Sequence, residues 1–199
     1  MSPTDTWKLS DVNIKPQRGW QAAAGLYLNS PSGIWEYSVE GYYKRMSDYL
    51  DYRGGAKLLM NHHIETDVIN TQGHAYGVEL QVKKQVGKLN GWMSYTYSRT
   101  FLRQNDKRIE KPVNNGDWYP TEYDKPHDFK FVGNYKFTHR YSMSINVDYS
   151  TGRPTTIPAG QYYDESTQSM RVYYTERNSY RIPDYFRTDI SFNIEPAII

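Results

Sequence analysis

The feature that most constrains this chain is a two-residue alternation of apolar and polar side chains that recurs along most of its length. In "IWEYSVEGYYKR", Trp35, Tyr37, Val39 and Tyr43 fall on one side with Gly41, and Glu36, Ser38, Glu40 and Lys44 on the other. "AYGVELQVKKQV" sets Tyr76, Val78, Leu80, Val82 and Val86 against Gly77, Glu79, Gln81, Lys83 and Gln85. "HDFKFVGNYKF" sets Phe129, Phe131, Tyr135 and Phe137 against Lys130, Asn134 and Lys136. "YSMSINVDYS" sets Met143, Ile145, Val147 and Tyr149 against Ser144, Asn146, Asp148 and Ser150. "YFRTDISFNIE" sets Phe186, Ile190, Phe192 and Ile194 against Arg187, Asp189, Ser191 and Asn193. Successive side chains of an extended backbone point to opposite sides, so this period predicts strands with one apolar face. Residues 20–29 and 91–103 read as strands less strictly, with Ser94, Thr96 and Ser98 aligned. The sum is about seven strands and no amphipathic helix of three turns, which is an all-β, antiparallel chain.

The connections carry a second pattern. "SPSG" (30–33), "GKLNG" (87–91) and "THR" (138–140) are tight joints, whereas 54–73, 104–125 and 153–182 are long and polar. Short and long alternate, so all short turns are expected at one end of the sheet and all long loops at the other. Loops longer than about 12–15 residues are uncommon without a function. Strands of about ten residues or more also exceed the usual five or six. Alternation alone leaves two folds open: a transmembrane β-barrel with its apolar face toward lipid, and a β-sandwich with that face inward. Strand length and loop asymmetry favour the up-and-down barrel. On that reading the polar wall, with Glu40, Glu79, Lys83, Asp148 and Asp189, lines the interior. The rival is a soluble carbohydrate-binding module that uses loop aromatics as a sugar platform.

Composition fits a wall between two media. The chain has 20 Tyr, 5 Trp and 6 Phe among 199 residues, with a mean hydropathy of −0.84. Tyr and Trp suit places where one end of a ring is dry and the other wet. Lys and Arg number 24 against 22 Asp and Glu, without a basic block, so nucleic acid is not an expected partner. The absence of cysteine excludes disulfides and thiolate metal sites. "MSPTDTWKLSD" has neither the basic start nor the apolar centre of an export signal, so an exported form is expected to begin further upstream.

Certain phrases, in order, resemble the C-terminal part of the barrel of TonB-dependent outer-membrane receptors of Gram-negative bacteria. They are "NIKPQRGWQAAAGLYL" (13–28), "WEYSVEGYYKRMSDYLDYRGGA" (35–56), "GHAYGVELQVKKQVGKLNGWMSYTYSRT" (73–100), "YDKPHDFKFVGNYKF" (123–137), "YSTGRPTTIP" (149–158) and "RNSYRIPDYFRTDISFNIE" (177–195). The resemblance implies a barrel of roughly 22 strands around a plug domain. It also implies energised uptake of a ferric siderophore, haem, cobalamin or oligosaccharide, with TonB, the plug and outer-membrane lipid as partners. About seven strands do not close such a barrel, and the final "IEPAII" (194–199) lacks a terminal aromatic. The chain is therefore expected to be an excised or truncated piece: 1–19 a loop remnant, 20–195 the partial barrel, 196–199 a truncated end. Its open strand edges are expected to favour self-association.

Candidate chemistry is sparse. Adjacent His127 and Asp128 suggest a base and its orienting carboxylate, but neighbours on a strand diverge and no serine or cysteine sits in an elbow beside them. The resemblance makes the pair the start of a strand at the extracellular rim, after Pro126. Gly152 is a turn position at a strand end, and no carboxylate pair is marked out for hydrolysis, so no catalytic residue is assigned. His62, His63, Glu65, Asp67 and His74 are the one cluster with metal-binding residue types, here read as solvated polarity; no metal or cofactor is expected. The ligand-contact candidates are loop aromatics with flanking arginines: Trp118, Tyr119, Tyr162, Tyr163, Arg171, Tyr173, Tyr174 and Arg177. Aromatic faces beside guanidinium groups suit sugars or anionic chelates, and the same residues equally suit packing of the loops or an interfacial girdle.

Overall fold

The computed structural model describes residues 9–11, 14–53, 64–104, 109, 112–165 and 168–195. Seven long strands carry the fold: β1 (Arg18–Asn29), β2 (Trp35–Tyr52), β3 (Val68–Lys84), β4 (Leu89–Gln104), β6 (His127–Lys136), β7 (Tyr141–Ser150) and β12 (Tyr185–Ile194). They pair antiparallel in the order β1-β2-β3-β4-β6-β7-β12, so each long strand lies beside the next one along the chain. Short turns at 30–34, 85–88 and 137–140 occupy one end of this up-and-down sheet, and the long connections occupy the other. The smaller strands all lie in those connections: β5 (Tyr119–Pro120), β8 (Pro154–Thr155), β9 (Pro158–Asp164), β10 (Ser169–Tyr174) and β11 (Tyr180–Arg181).

The register sorts side chains into two faces. One row across all seven strands runs Leu26, Val39, Leu80, Tyr95, Phe129, Tyr149, Phe186. One step along, the opposite face runs Tyr27, Ser38, Gln81, Ser94, Lys130, Asp148, Arg187. The apolar row is not a dry core, since Leu26 is 66% and Phe186 68% exposed and no second sheet covers them among the described residues. A sandwich would bury this face; a membrane wall presents it.

The buried residues lie instead on the polar face at the loop end. Ile69, Thr71, Ala75, Leu102, Gln104, Tyr119, Thr121 and Asp124 are all buried there. Strands β6, β7 and β12 have 10 residues each, while β2, β3 and β4 have 18, 17 and 16. Ten residues rise about 25 Å when tilted at about 40°, which matches an outer-membrane apolar band. The surplus of β2, β3 and β4 falls wholly at the loop end and forms the backing onto which the loops pack.

Three expectations change. The segment 54–73 shrinks as a loop, because β2 runs on to Tyr52 and β3 starts at Val68, with a β-bulge between Met46 and Tyr49 where Asp48 takes φ 54°. The segment 153–182 is not irregular: β9 and β10 form a hairpin and β8 pairs β11. Its alternation was hidden because aromatics occupy both faces of the hairpin. The first long strand also begins at Arg18, two residues inside the expected 1–19 loop remnant, while the truncated end at 196–199 lies outside the described residues.

Candidate functional site

The loops are held over the polar face by three buried or half-buried junctions. At the first, Tyr119 Oη donates to Asp51 Oδ2 at 2.7 Å and Arg177 Nη1 pairs with the same oxygen at 2.6 Å. Burial, with the Asp51 carboxylate alongside, holds the Tyr119 hydroxyl far above the ordinary phenol value. At the second, the fully buried Asp124 carboxylate accepts from the Thr100 amide at 2.8 Å and from Arg99 Nε at 3.3 Å, and it pairs with Arg181 Nη2. Arg181 Nη1 also donates to the carbonyls of Asp124 (2.7 Å) and Gly152 (2.9 Å). At the third, Asn114 and Arg177 exchange side-chain and backbone bonds, while Asn178 Nδ2 donates to Pro120 O at 2.8 Å.

Asp124 has a specific task. Pairing of β6 with β4 stops at Tyr97, and Ser98 N is taken by Pro126 O. The next outward amide on that edge, Thr100 N, would be orphaned in the wall; the Asp124 carboxylate replaces the missing strand. Gly152 is required by close approach, since a Cβ there would lie 1.7 Å from Ile182 O, and its amide donates to Asp184 Oδ1 at 2.9 Å.

Below these junctions the polar wall is open. Tyr27, Ser38, Glu40, Glu79, Gln81, Ser94, Thr96, Asp128 and Lys130 line a cleft of about 370 Å³. Tyr27 Oη donates to Glu40 Oε2 at 2.7 Å, Lys83 pairs with Glu36 at 3.4 Å, and Lys130 pairs with Asp128 at 3.6 Å. Asp148 stands between Lys130 and Arg187 in the register, and Arg187 pairs with Asp189 at 2.8 Å. Glu40, Glu79, Lys83, Asp148 and Asp189 therefore share one face.

The remaining candidates separate. His127 turns to the apolar face, where Nδ1 meets Tyr95 Oη at 2.8 Å, while Asp128 faces Lys130 on the other side. Trp118 also lies on the apolar face, edge-on to His74 at 4.4 Å and under Arg103 at 5.2 Å. Tyr119, 1% exposed, and Arg177 are consumed by Asp51, so neither presents a surface to a ligand. Tyr162, Tyr163, Tyr173 and Tyr174 are exposed on the β9–β10 hairpin. There Tyr162 sits opposite Arg171, and Arg171 Nε pairs with Asp164 Oδ2 at 2.6 Å. Of the His and acid cluster, His62 and His63 lie outside the described residues, and His74 packs among aromatics. Among the described residues no group of three His, Cys, Asp or Glu is placed to hold a metal.

Asp51, Asn114, Asp124, Asn178 and Arg181 carry the loop junctions yet were not singled out from the sequence. The partners that tie them across loops lie 22 to 126 positions away, a separation with no local signature. Only the position of Asp124, two residues before Pro126, hinted at a loop closing onto a strand.

Comparison with known proteins agrees with this wall. The family model "TonB dependent receptor-like, beta-barrel" matches residues 2–197. Among solved structures, the ferripyoverdine receptor of the outer membrane of Pseudomonas aeruginosa, bound to ferripyoverdine, superposes with a TM-score of 0.54 at 10% identity. That match covers 90% of this chain and 21% of the receptor chain, so this sequence spans about a fifth of that protein. No curated protein matches. The chain belongs to the family of TonB-dependent receptor-like β-barrels.

Proposed function

We propose that this chain is part of the wall of an outer-membrane receptor that takes up a scarce nutrient by TonB-driven transport and performs no catalysis of its own. The observation that carries the reading is the two-sided sheet. An aromatic, unburied face is set back to back with a charged face, and the buried loop residues Tyr119 and Thr121 pack over the charged side. In that role the wall residues Glu40, Glu79, Lys83, Asp148 and Asp189 face a plug domain and the passing solute. The hairpin residues Tyr162, Tyr163, Arg171, Tyr173 and Tyr174 meet ligand at the extracellular mouth. The ligand class is a ferric siderophore, haem, cobalamin or an oligosaccharide. The chelate bound by the Pseudomonas receptor is of the first kind.

The test is made in the native host with the full-length gene product. It is expected in the outer-membrane fraction, migrating faster on gels before boiling than after. Uptake of one labelled ligand from these classes is expected to vanish on deletion of either the receptor or TonB. Recovery in a soluble fraction without detergent would refute the membrane wall; TonB-independent uptake would refute the transport mechanism.

A further inference from the structure

At the turn end of the polar face, two hairpin turns bring their cations together around a cavity of about 590 Å³. Lys88, Lys136, His139 and Arg140 line it with Tyr141, and Glu195 is the one carboxylate of the lining. Lys136 N donates to Lys88 O at 2.8 Å, which carries the β4–β6 ladder one pair past Leu89–Tyr135. The two lysines therefore stand directly opposite each other, on the side of Lys130. Thr138 Oγ1 accepts from the amides of Arg140 and Tyr141, both at 3.2 Å, and fixes the second turn. Arg140 Nε donates to Glu195 O at 3.1 Å, which leaves its Nη groups for another acceptor.

Like charges directly opposite on neighbouring strands destabilise a sheet. Higher on the same face, Lys83, Lys130 and Arg187 each have a carboxylate within 3.6 Å. Lys88 and Lys136 have none among the described residues, whereas Lys84 is spent on the carbonyls of Val86 and Leu89, both at 2.7 Å. No aspartate or glutamate occurs in 80–105 or 129–147, so both turns are cationic throughout. A neutral row separates them from Glu36 and its neighbours: Asn134 bonds Asn90 at 3.3 Å and Ser144 at 2.7 Å. Two rows along a strand are about 13 Å, beyond the screening length of about 8 Å at physiological salt. The carboxylates above therefore do not neutralise the turns, and a local rule of charge placement is broken as it is at binding sites.

We infer that Lys88, Lys136 and Arg140 form a docking site for an acidic, extended segment of a periplasmic protein. The inference rests on the membrane-wall reading above, which puts the short turns in the periplasm. Lys136 ends β6 and Arg140 lies in the turn beyond it, so the cations stand at the rim, where a partner outside the barrel reaches them. A lipid headgroup would meet the other face, that of Leu89, Tyr135 and Met143. The cavity is roughly twenty times the volume of one water molecule, room for several peptide residues rather than one small anion. Alternate side chains of an extended peptide fall on one side, so successive carboxylates meet the lysine pair and Arg140 together.

The experiment uses the full-length protein in a neutral detergent, with a fluorescent hexapeptide of alternating aspartate and glycine as probe and polarisation as readout. Wild type is expected to bind it at least tenfold more tightly than the asparagine counterpart, and less tightly as salt rises. Lys88→Gln/Lys136→Gln is expected to lose at least tenfold in affinity while its unfolding temperature holds or rises, because the like-charge contact is gone. Lys125→Gln, at the loop end, is expected to bind as wild type does. Equal binding by the double variant, still found in the outer membrane, would overturn the site and leave the wall reading intact. A lower unfolding temperature with unchanged affinity would overturn it too, by giving the lysines a packing role. Displacement of the probe by millimolar inorganic phosphate would mark a free-anion site, and displacement by phosphatidylglycerol a lipid site; either overturns the proposal. Absence of the wild type from the outer membrane would sink the wall reading and this site together.

Discussion

Replacing Asp124 by Asn tests whether the loops are held to the wall by one carboxylate. The side chain is wholly buried, whereas those of its partners Arg99 and Arg181 are 25% and 30% exposed. Breaking a fully buried pair costs about 3–5 kcal/mol, and an exposed pair is worth about 0–1 kcal/mol. Guanidiniums that reach water on one side place this junction between those limits. The Asn carbonyl still accepts from Thr100 N–H, but its NH2 group replaces the oxygen that accepts from Arg181, so the charge and that one bond are lost. The cost is then about 2 kcal/mol.

That cost falls locally. Asp124 joins the β4–β6 loop to β4 through Thr100 and to the β7–β12 loop through Arg181, while the ladders between long strands remain. About 2 kcal/mol corresponds to roughly thirtyfold more frequent local opening. Hydrogen exchange in detergent micelles reads this directly. Thr121 N, bonded to Thr100 O at 3.0 Å, and Ile182 N, bonded to Arg153 O at 3.1 Å, are expected to exchange about thirtyfold faster. Amides of Ile145–Val147 in β7 serve as the control and are expected to be unchanged. Equal acceleration in β7 would show that Asp124 supports the whole wall; less than threefold acceleration at Thr121 and Ile182 would show that the junction carries no load. In a double-mutant cycle, Arg181→Gln added to Asp124→Asn is expected to cost well under the sum of the singles.

Four further outcomes follow from the same geometry. Tyr119→Phe removes the bond to Asp51 but keeps the ring, and is expected to cost about 1–2 kcal/mol in loop opening by exchange, against about 3–5 kcal/mol for Tyr119→Ala. Met93→Arg places a charge on the lipid face near mid-span and is expected to lower unfolding stability in lipid by about 2–4 kcal/mol, whereas Ser94→Arg on the polar face is tolerated; the reverse order in urea titrations would invert the assignment of faces. Gly152→Ala drives a methyl into Ile182 O and is expected to displace the 182–184 segment at about 1–3 kcal/mol, seen as faster proteolysis there. The Tyr149 hydroxyl and the Gly152 amide hold the Asp184 carboxyl below its ordinary value of 3.8. Its stabilisation is thus present above that value and lost as pH falls through the lower folded value, so acid loosening of 182–184 is expected only below about pH 4 and is absent in Asp184→Asn.

The wall was legible in the sequence because its physics is local. A strand with lipid on one side and water on the other must alternate, and Leu80 beside Gln81 or Phe131 beside Lys130 states that in two residues. Alternation faded where both media ceased to differ. Above the apolar band, β2 and β3 are covered on the polar face by loops, so Ile69, Thr71 and Ala75 are buried on the side that is charged lower down. The strands there no longer look amphipathic, and the alternation stops short of their ends. The candidate site was harder still. Tyr119 and Trp118 are neighbours of like character, yet one is sealed under the loops by Asp51 and the other lies outside the wall against His74. A one-residue step decides between them, and it is set by β5 pairing Tyr119 with Leu102, a contact between distant segments.

The same two-media logic accounts for the unusual tyrosine content. A phenol can bury its ring while its hydroxyl stays bonded, so it tolerates every depth of a wall that changes environment along its height. Tyr27 reaches Glu40 on the charged face, Tyr119 reaches Asp51 beneath the loops, and Tyr149 reaches Asp184 at the rim of the apolar face. Each hydroxyl donates to a carboxylate and fills one of its acceptor positions. Leucine in these places would remove one donor from each carboxylate, and serine would not cover the apolar surface. The 20 tyrosines thus follow from a thin sheet that must satisfy lipid, water and its own loops with one set of side chains.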